Sequence, residues 1–231
     1  MVKRKATWLA TLLLAATALL ATLGCESKAP PPERSPAESA DPPEDPDRVE
    51  ESEELATAFV DAPEGWKQLD PQQLSDQDQA MLERAQEAQK ALGSTLMREL
   101  TEAVSKDSYA EAVEVCNVRA PQIAESVRDE QQVAIGRTSF DLRNPDNEPP
   151  TWAEPYVDKR VPEASVLRSD DQLAYLLPIR LGEMCTGCHG PADSLAEGVP
   201  ERLAEMYPDD EATGFQAGDL RGWFWVEVPE S

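Results

Sequence analysis

The sequence predicts an α+β fold built on an antiparallel sheet, and two observations carry that reading. Helical periodicity fills the stretch from Ser75 to about Gln131, and strand-like runs dominate the rest of the chain. Nowhere does the chain alternate strand, helix and strand in the way that builds a parallel sheet. No internal repeat at the periods of about 20–50 residues that mark solenoids and propellers is visible either.

The chain opens with Met1 to Lys5, a basic segment, followed by Ala6 to Leu23, which is apolar and carries no charge. Basic then apolar is the order of an export leader. It ends Ala21-Thr22-Leu23-Gly24-Cys25, which resembles a bacterial lipoprotein signal with Cys25 as the lipidated residue. Residues 1–25 are therefore expected to be a signal peptide. An uncleaved membrane anchor is the alternative, since an apolar stretch of this length nearly spans a bilayer. Either way the rest of the chain is exported, and a lipid at Cys25 would hold it to a membrane facing the periplasm. Glu26 after the cysteine favours the outer membrane.

Residues 26–70 read as an acidic, Pro-rich tether. Between Glu26 and Glu54 stand seven prolines and eleven acids, with almost no large apolar side chain. Such a segment buries too little surface to offset its ordering entropy. Leu55 to Asp70 is transitional, with Trp66 as a packing anchor. The folded domain is then expected over 71–231.

Ser75-Asp76-Gln77-Asp78 has the form of an N-terminal helix cap. Met81, Ala85, Ala88, Leu92, Leu96, Leu100 and Val104 follow at three- and four-residue spacing, giving a long helix with one apolar stripe. Ser108-Tyr109-Ala110-Glu111 is a capping box for a second helix, with Tyr109, Ala112, Val113 and Cys116 on one face. Pro121 opens a third, short helix with Ile123, Ala124 and Val127 inward. Val133 to Ile135 reads as a strand and Arg143 to Asn147 as a turn. Leu173 to Leu181 is strand-like, with Pro178 requiring an edge or a bulge. Leu195 to Met206 is a short helix. Arg221 to Pro229 is a strand in which Trp223, Phe224 and Trp225 cannot all face one side.

The chemistry sits in Cys185-Thr186-Gly187-Cys188-His189. Two thiols and an imidazole at this spacing read as a c-type haem attachment site. Cys185 and Cys188 would form the thioethers and His189 would take one face of the iron. His189 is the sole histidine of the 231 residues, so another kind of side chain must take the opposite face. The residues offer Cys116, the odd thiol of the exported chain, or a methionine among Met81, Met97 and Met206. Two other readings compete. A Cys₃His zinc site would use the same residues, but adjacent Cys188 and His189 are badly placed to grip one small ion. A redox dithiol would need the strand–helix–strand context that is missing here. Arg119, Arg137, Arg143 and Arg221 have the forked geometry that suits haem propionates or, equally, acidic side chains of this chain. Gly187, Gly190, Gly214, Gly218 and Gly222 are expected to serve tight turns around the box.

Four separated blocks resemble a PAS-like haem c-binding domain family, formerly a domain of unknown function. They are Glu114 to Pro121; Gly136 to Ser139 with Leu142 to Pro145; Cys185 to Gly190; and Tyr207 to Phe215 with Gly218 to Gly222. The resemblance spans roughly 70–229. It implies a PAS-like α+β domain with flanking N-terminal helices and one covalent haem c. It also implies an axial pair of histidine and cysteine sulfur, which here fall on His189 and Cys116.

A thiolate favours ferric over ferrous iron, so such a haem has a lower potential than a His/Met one. The expected function is low-potential single-electron transfer or haem-based redox sensing, with an enzyme such as a haem peroxidase a distant third reading. The alternative is a CO or NO sensor in which the gas displaces Cys116. With 45 acidic against 21 basic side chains, a net charge of −24, the chain disfavours nucleic acid and suits a basic redox partner.

Overall fold

The structure, a computed structural model, describes residues 60–106 and 108–230. The leader, Cys25 and the Pro-rich segment before Val60 lie outside the described residues. These described residues all belong to the second of two compact units, Asp47–Ser231. In chain order they form β1 (Lys67–Gln68), α1 (Asp76–Lys106), α2 (Tyr109–Glu114), a π-helical turn (Val115–Arg119) and α3 (Ala120–Gln131). Then come β2 (Ala134–Thr138), α4 (Glu154–Asp158), β3 (Ser165–Arg168), β4 (Gln172–Arg180), α5 (Thr186–His189), α6 (Val199–Met206) and β5 (Leu220–Pro229).

The strands make one antiparallel sheet in the order β1-β3-β4-β5-β2. This is the α+β architecture that the order of elements predicts, and it is consistent with the PAS-like fold that the family resemblance implies. Both faces of the sheet are covered, which explains the nearly unbroken apolar run of β4. Leu173 and Tyr175 point to the helical side, where they meet Leu92, Ile123 and Val226. Ala174 and Leu176 point to the opposite side, against Trp152, Tyr156 and Trp223. Successive strand residues alternate faces, so each set joins a separate core.

The apolar stripe of α1 is the spine of the first core, with Ala85, Ala88 and Leu92 fully buried. Ser75 caps this helix, its hydroxyl accepting the Asp78 amide at 3.1 Å. Ser108 caps α2 in the same way through the Glu111 amide, also at 3.1 Å.

Four features depart from the sequence reading. The second and third helices are one continuous run, joined by the π turn rather than separated. Proline at 121 has no amide hydrogen to give Asn117, and the Ala120 amide reaches back to the Val115 carbonyl instead, widening the turn. The helix expected from Leu195 starts at Val199, because Gly198 takes a left-handed conformation (φ +78°) just before it. Neither β3 nor α4 stands out in the sequence; Pro155 and a short Ser165–Arg168 run carry little periodicity of their own. Finally, the folded part begins ahead of residue 71. Val60 is buried in the second core and Trp66 packs on Trp152, with ring centroids 5.6 Å apart. The Pro178 expectation is met twice: β3 ends before that point, leaving β4 unpartnered on that flank, and the β4–β5 register shifts between Ile179 and Arg180.

Candidate functional site

From Gln89 to Leu100 the long helix α1 also lines one wall of a cavity. Gly93, Leu96, Met97 and Leu100 face the ends of β2, β4 and β5 across a space of about 480 Å³, a volume within the usual range of small-molecule pockets. Apolar surface from Leu177, Ile179, Leu181 and Phe224 lines much of it. The polar lining includes Cys116, Cys185, His189, Tyr207 and four arginines.

Three of the residues singled out from the sequence therefore meet in one cavity. Cys116 arrives on the π turn, Cys185 just before α5, and His189 at the end of α5. A π turn shifts a side chain off the regular helical face, and such turns recur at functional sites. Cys188 does not line the cavity. Its sulfur points the other way, 3.7 Å from the Tyr109 carbonyl, and it packs with the cluster of Val113, Leu203 and Tyr207. Burial pushes its thiol up to about 11, against the nearby Arg143, which lowers it. All three thiols are free. Among the described residues no three His, Cys, Asp or Glu side chains converge as an ion-binding group. No described helix is long and apolar enough to cross a membrane.

His189 is held in one tautomer. Its Nδ1 lies 2.8 Å from the Ala212 carbonyl oxygen, which can only accept, so Nδ1 carries the hydrogen. The lone pair is then on Nε2, the arrangement by which backbone carbonyls orient metal-binding histidines. Arg221 Nε sits 3.3 Å from the same Nδ1 and cannot donate to it while it is protonated. The imidazole is driven well below its usual pKa, first by burial, then by the charges of Arg143, Arg221 and Arg137. It is neutral at pH 7, as a ligand must be.

Arg143 holds the box in place. It makes a two-pronged pair with Asp210, both contacts at 3.0 Å, and donates to the Cys188 carbonyl at 2.7 Å and the Ala212 carbonyl at 3.1 Å. The segment after α5 is also paired to residues 214–215, through Gly214 N to Gly190 O at 2.8 Å and Phe215 N to His189 O at 2.9 Å. Arg221 is engaged as well, by the Ser139 hydroxyl at 2.6 Å and the Asp141 carbonyl at 3.1 Å. Burial among like charges brings its pKa down to about 10. Arg119 lies away from the cavity and pairs on the surface with Glu99 at 3.0 Å.

The glycine expectation needs correcting at the box. Gly214 and Gly218 do adopt positive φ, but Gly187 is required for a different reason. A Cβ there would stand 2.4 Å from the Tyr109 ring, so the box lies flat on the helix that leads to Cys116. Of the methionines, Met97 shares the cavity, whereas Met81 is in the first core and Met206 packs on the third cluster. Of the strand aromatics only Phe224 lines the cavity; Trp223 and Trp225 join the second core.

The cavity's composition suits a haem in its neutral imidazole, its thiols and its apolar walls. The Cys188 sulfur, packed against the Tyr109 carbonyl and not on the cavity wall, would have to move for a second thioether.

No curated protein matches the chain. Among solved structures, "Crystal structure of the cyanobacterial heme-protein Tll0287" is similar at 21% identity with a TM-score of 0.44, covering 71% of this chain and 98% of that one. The model of the Tll0287-like family matches residues 67–229, from the first strand to the end of the last, and the four blocks read from the sequence all fall inside that span. The chain belongs to the Tll0287-like family.

Proposed function

We propose that this chain is an exported, lipid-anchored, monohaem c-type protein that transfers single electrons at low potential or senses redox state through its haem. The observation that carries the reading is the convergence of Cys116, Cys185 and His189 on one cavity, with His189 Nε2 left free by the Nδ1 bond to Ala212. The family supports it too, since the protein that names it is described as a cyanobacterial haem-protein.

Bound there, a haem would supply a one-electron iron couple. The protein's own residues would do the rest. Cys185 and Cys188 would anchor the ring covalently, and His189 and Cys116 would hold the iron from either face. Leu96, Leu177 and Phe224 would exclude water from it. Cys25 would tie the exported chain to the membrane, and the acid excess would favour a basic electron partner, with an association rate that falls as salt rises.

The test is the full-length chain produced in an export-competent host that attaches haem to thiols. Haem that stays with the polypeptide after denaturation, and is lost with Cys185→Ala plus Cys188→Ala, supports the proposal. A chain exported without covalent haem overturns it. Six-coordinate spectra in both oxidation states favour a carrier; a ligand lost on reduction, with CO bound in its place, favours the gas sensor.

A further inference from the structure

Two arginines hold the surroundings of His189, and they differ in what balances their charge. The Arg143 guanidinium is paired with the Asp210 carboxylate at 3.0 Å, so that pair adds no net charge. Arg221, half-buried at the start of β5 and on the cavity wall, has only neutral partners. They are the Ser139 hydroxyl at 2.6 Å, the Asp141 main-chain carbonyl at 3.1 Å and the Phe215 ring, centred 5.2 Å from the guanidinium carbon. Arg221 forms no ion pair among the described residues. Burial, then Arg143 and Arg137, bring its pKa down to about 10, so it is charged at pH 7. Its Nε lies 3.3 Å from His189 Nδ1, and that ring nitrogen donates to the Ala212 carbonyl. Two opposite influences therefore meet at one atom. The carbonyl raises the imidazole's electron donation, and the neighbouring cation withdraws it.

We propose that Arg221 tunes the His189 ligand electrostatically, its uncompensated charge raising the reduction potential of the iron and offsetting part of the lowering by the sulfur ligand. The proposal rests on the haem reading above and needs only His189 as a ligand, whichever sulfur takes the opposite face. Ferric haem carries one more positive charge than ferrous haem. A cation held beside the ligand without a counter-charge therefore disfavours the ferric state. Away from bulk water that repulsion is poorly screened. Arg143, cancelled by Asp210, contributes little of the same kind. Arg221 acts through His189, so it is a positioning residue.

The experiment is a spectroscopic redox titration of the full-length chain with haem attached, produced in an export-competent host. Arg221→Gln should shift the ferric/ferrous equilibrium at least about tenfold toward ferric, a fall of about 59 mV for one electron. Its ferric absorption spectrum should match that of wild type, since the ligands stay in place. Arg221→Lys, which restores the charge without the fork, should return most of the shift. Arg119→Gln removes an equal charge at the surface, where Arg119 pairs with Glu99, and should leave the potential unchanged. A potential unchanged or raised in Arg221→Gln would overturn the tuning role while leaving the haem reading intact. So would a changed ferric spectrum in Arg221→Gln, or a shift that Arg221→Lys does not reverse, because either marks a packing role instead. A wild-type chain exported without covalent haem would overturn the haem reading and this inference together.

Discussion

Arg143 and Asp210 meet in a buried two-pronged ion pair, each side chain less than a tenth exposed. The same guanidinium bonds the carbonyls of Cys188 and Ala212, so one side chain clips the box to the segment that orients His189. Removing one partner of such a pair strands a buried charge, at a cost of about 3–5 kcal/mol. Arg143→Met is expected to destabilise the chain by that amount in urea unfolding, and Arg143→Met with Asp210→Leu to recover part of it. A single-variant loss below about 1 kcal/mol, the range of exposed pairs, would contradict the assignment.

Gly187 and Tyr109 are in contact because the glycine has no Cβ. Gly187→Ala would press a methyl group into the phenol ring, an overpacking that typically costs about 1–3 kcal/mol. Adding Tyr109→Ala should relieve the clash. The two substitutions together are then expected to cost less than the sum of their separate effects, a coupling read by a double-mutant cycle. Strict additivity would mean the ring is not what excludes the methyl.

The chain without haem should be less stable in mild acid, and His189 should be one identifiable source. Its folded pKa is depressed, chiefly by burial, whereas in the unfolded chain it returns to about 6.5. The unfolded state therefore binds the extra proton first as pH falls. The contribution of neutral His189 is fully present above about 6.5 and is lost as pH drops toward the depressed folded value. No other histidine titrates in this window. Unfolding free energies measured between pH 7 and 5 should fall more steeply for wild type than for His189→Gln; parallel slopes would refute the prediction.

Cys116 and Met97 both line the cavity, and Met97 is 45% exposed. With Cys116 as the sulfur ligand, Cys116→Ala changes the ferric spectrum and raises the potential, because a thiolate's preference for ferric iron is lost. Met97→Leu should leave both unchanged. The reverse pattern would move the ligand assignment to the methionine.

Leu92, fully buried where α1 crosses the sheet, tests the scaffold. Leu92→Ala is expected to cost about 2–5 kcal/mol by leaving a cavity. Thermal or urea melts read it directly.

Much of the fold is legible in the chain. The α1 stripe, the caps at Ser75 and Ser108, the β4 and β5 strands and the Cys185–His189 box are local patterns. Each depends on hydrogen bonds and side-chain spacing within a few residues. β3, α4 and the π turn are not legible, since short elements take their conformation from neighbours rather than from periodicity. Cys116 stands out as an odd thiol, but nothing in its flanking residues says what it faces. The roles of Arg143, Tyr109 and Ala212 leave no sequence signal beyond membership of matching blocks or a helix cap.

By itself, then, the sequence determined the class of fold, the order of its longer elements and a set of residues whose chemistry suits a haem, because these depend on local backbone preferences and side-chain chemistry. Tertiary structure alone decided that Cys116 and His189 open onto one cavity, that Cys188 turns from it, and that of four arginines there Arg137 is left without a partner among the described residues. Those outcomes depend on strand register and on loops packed across long separations, and a pairwise contact between distant segments is not encoded in either segment taken singly.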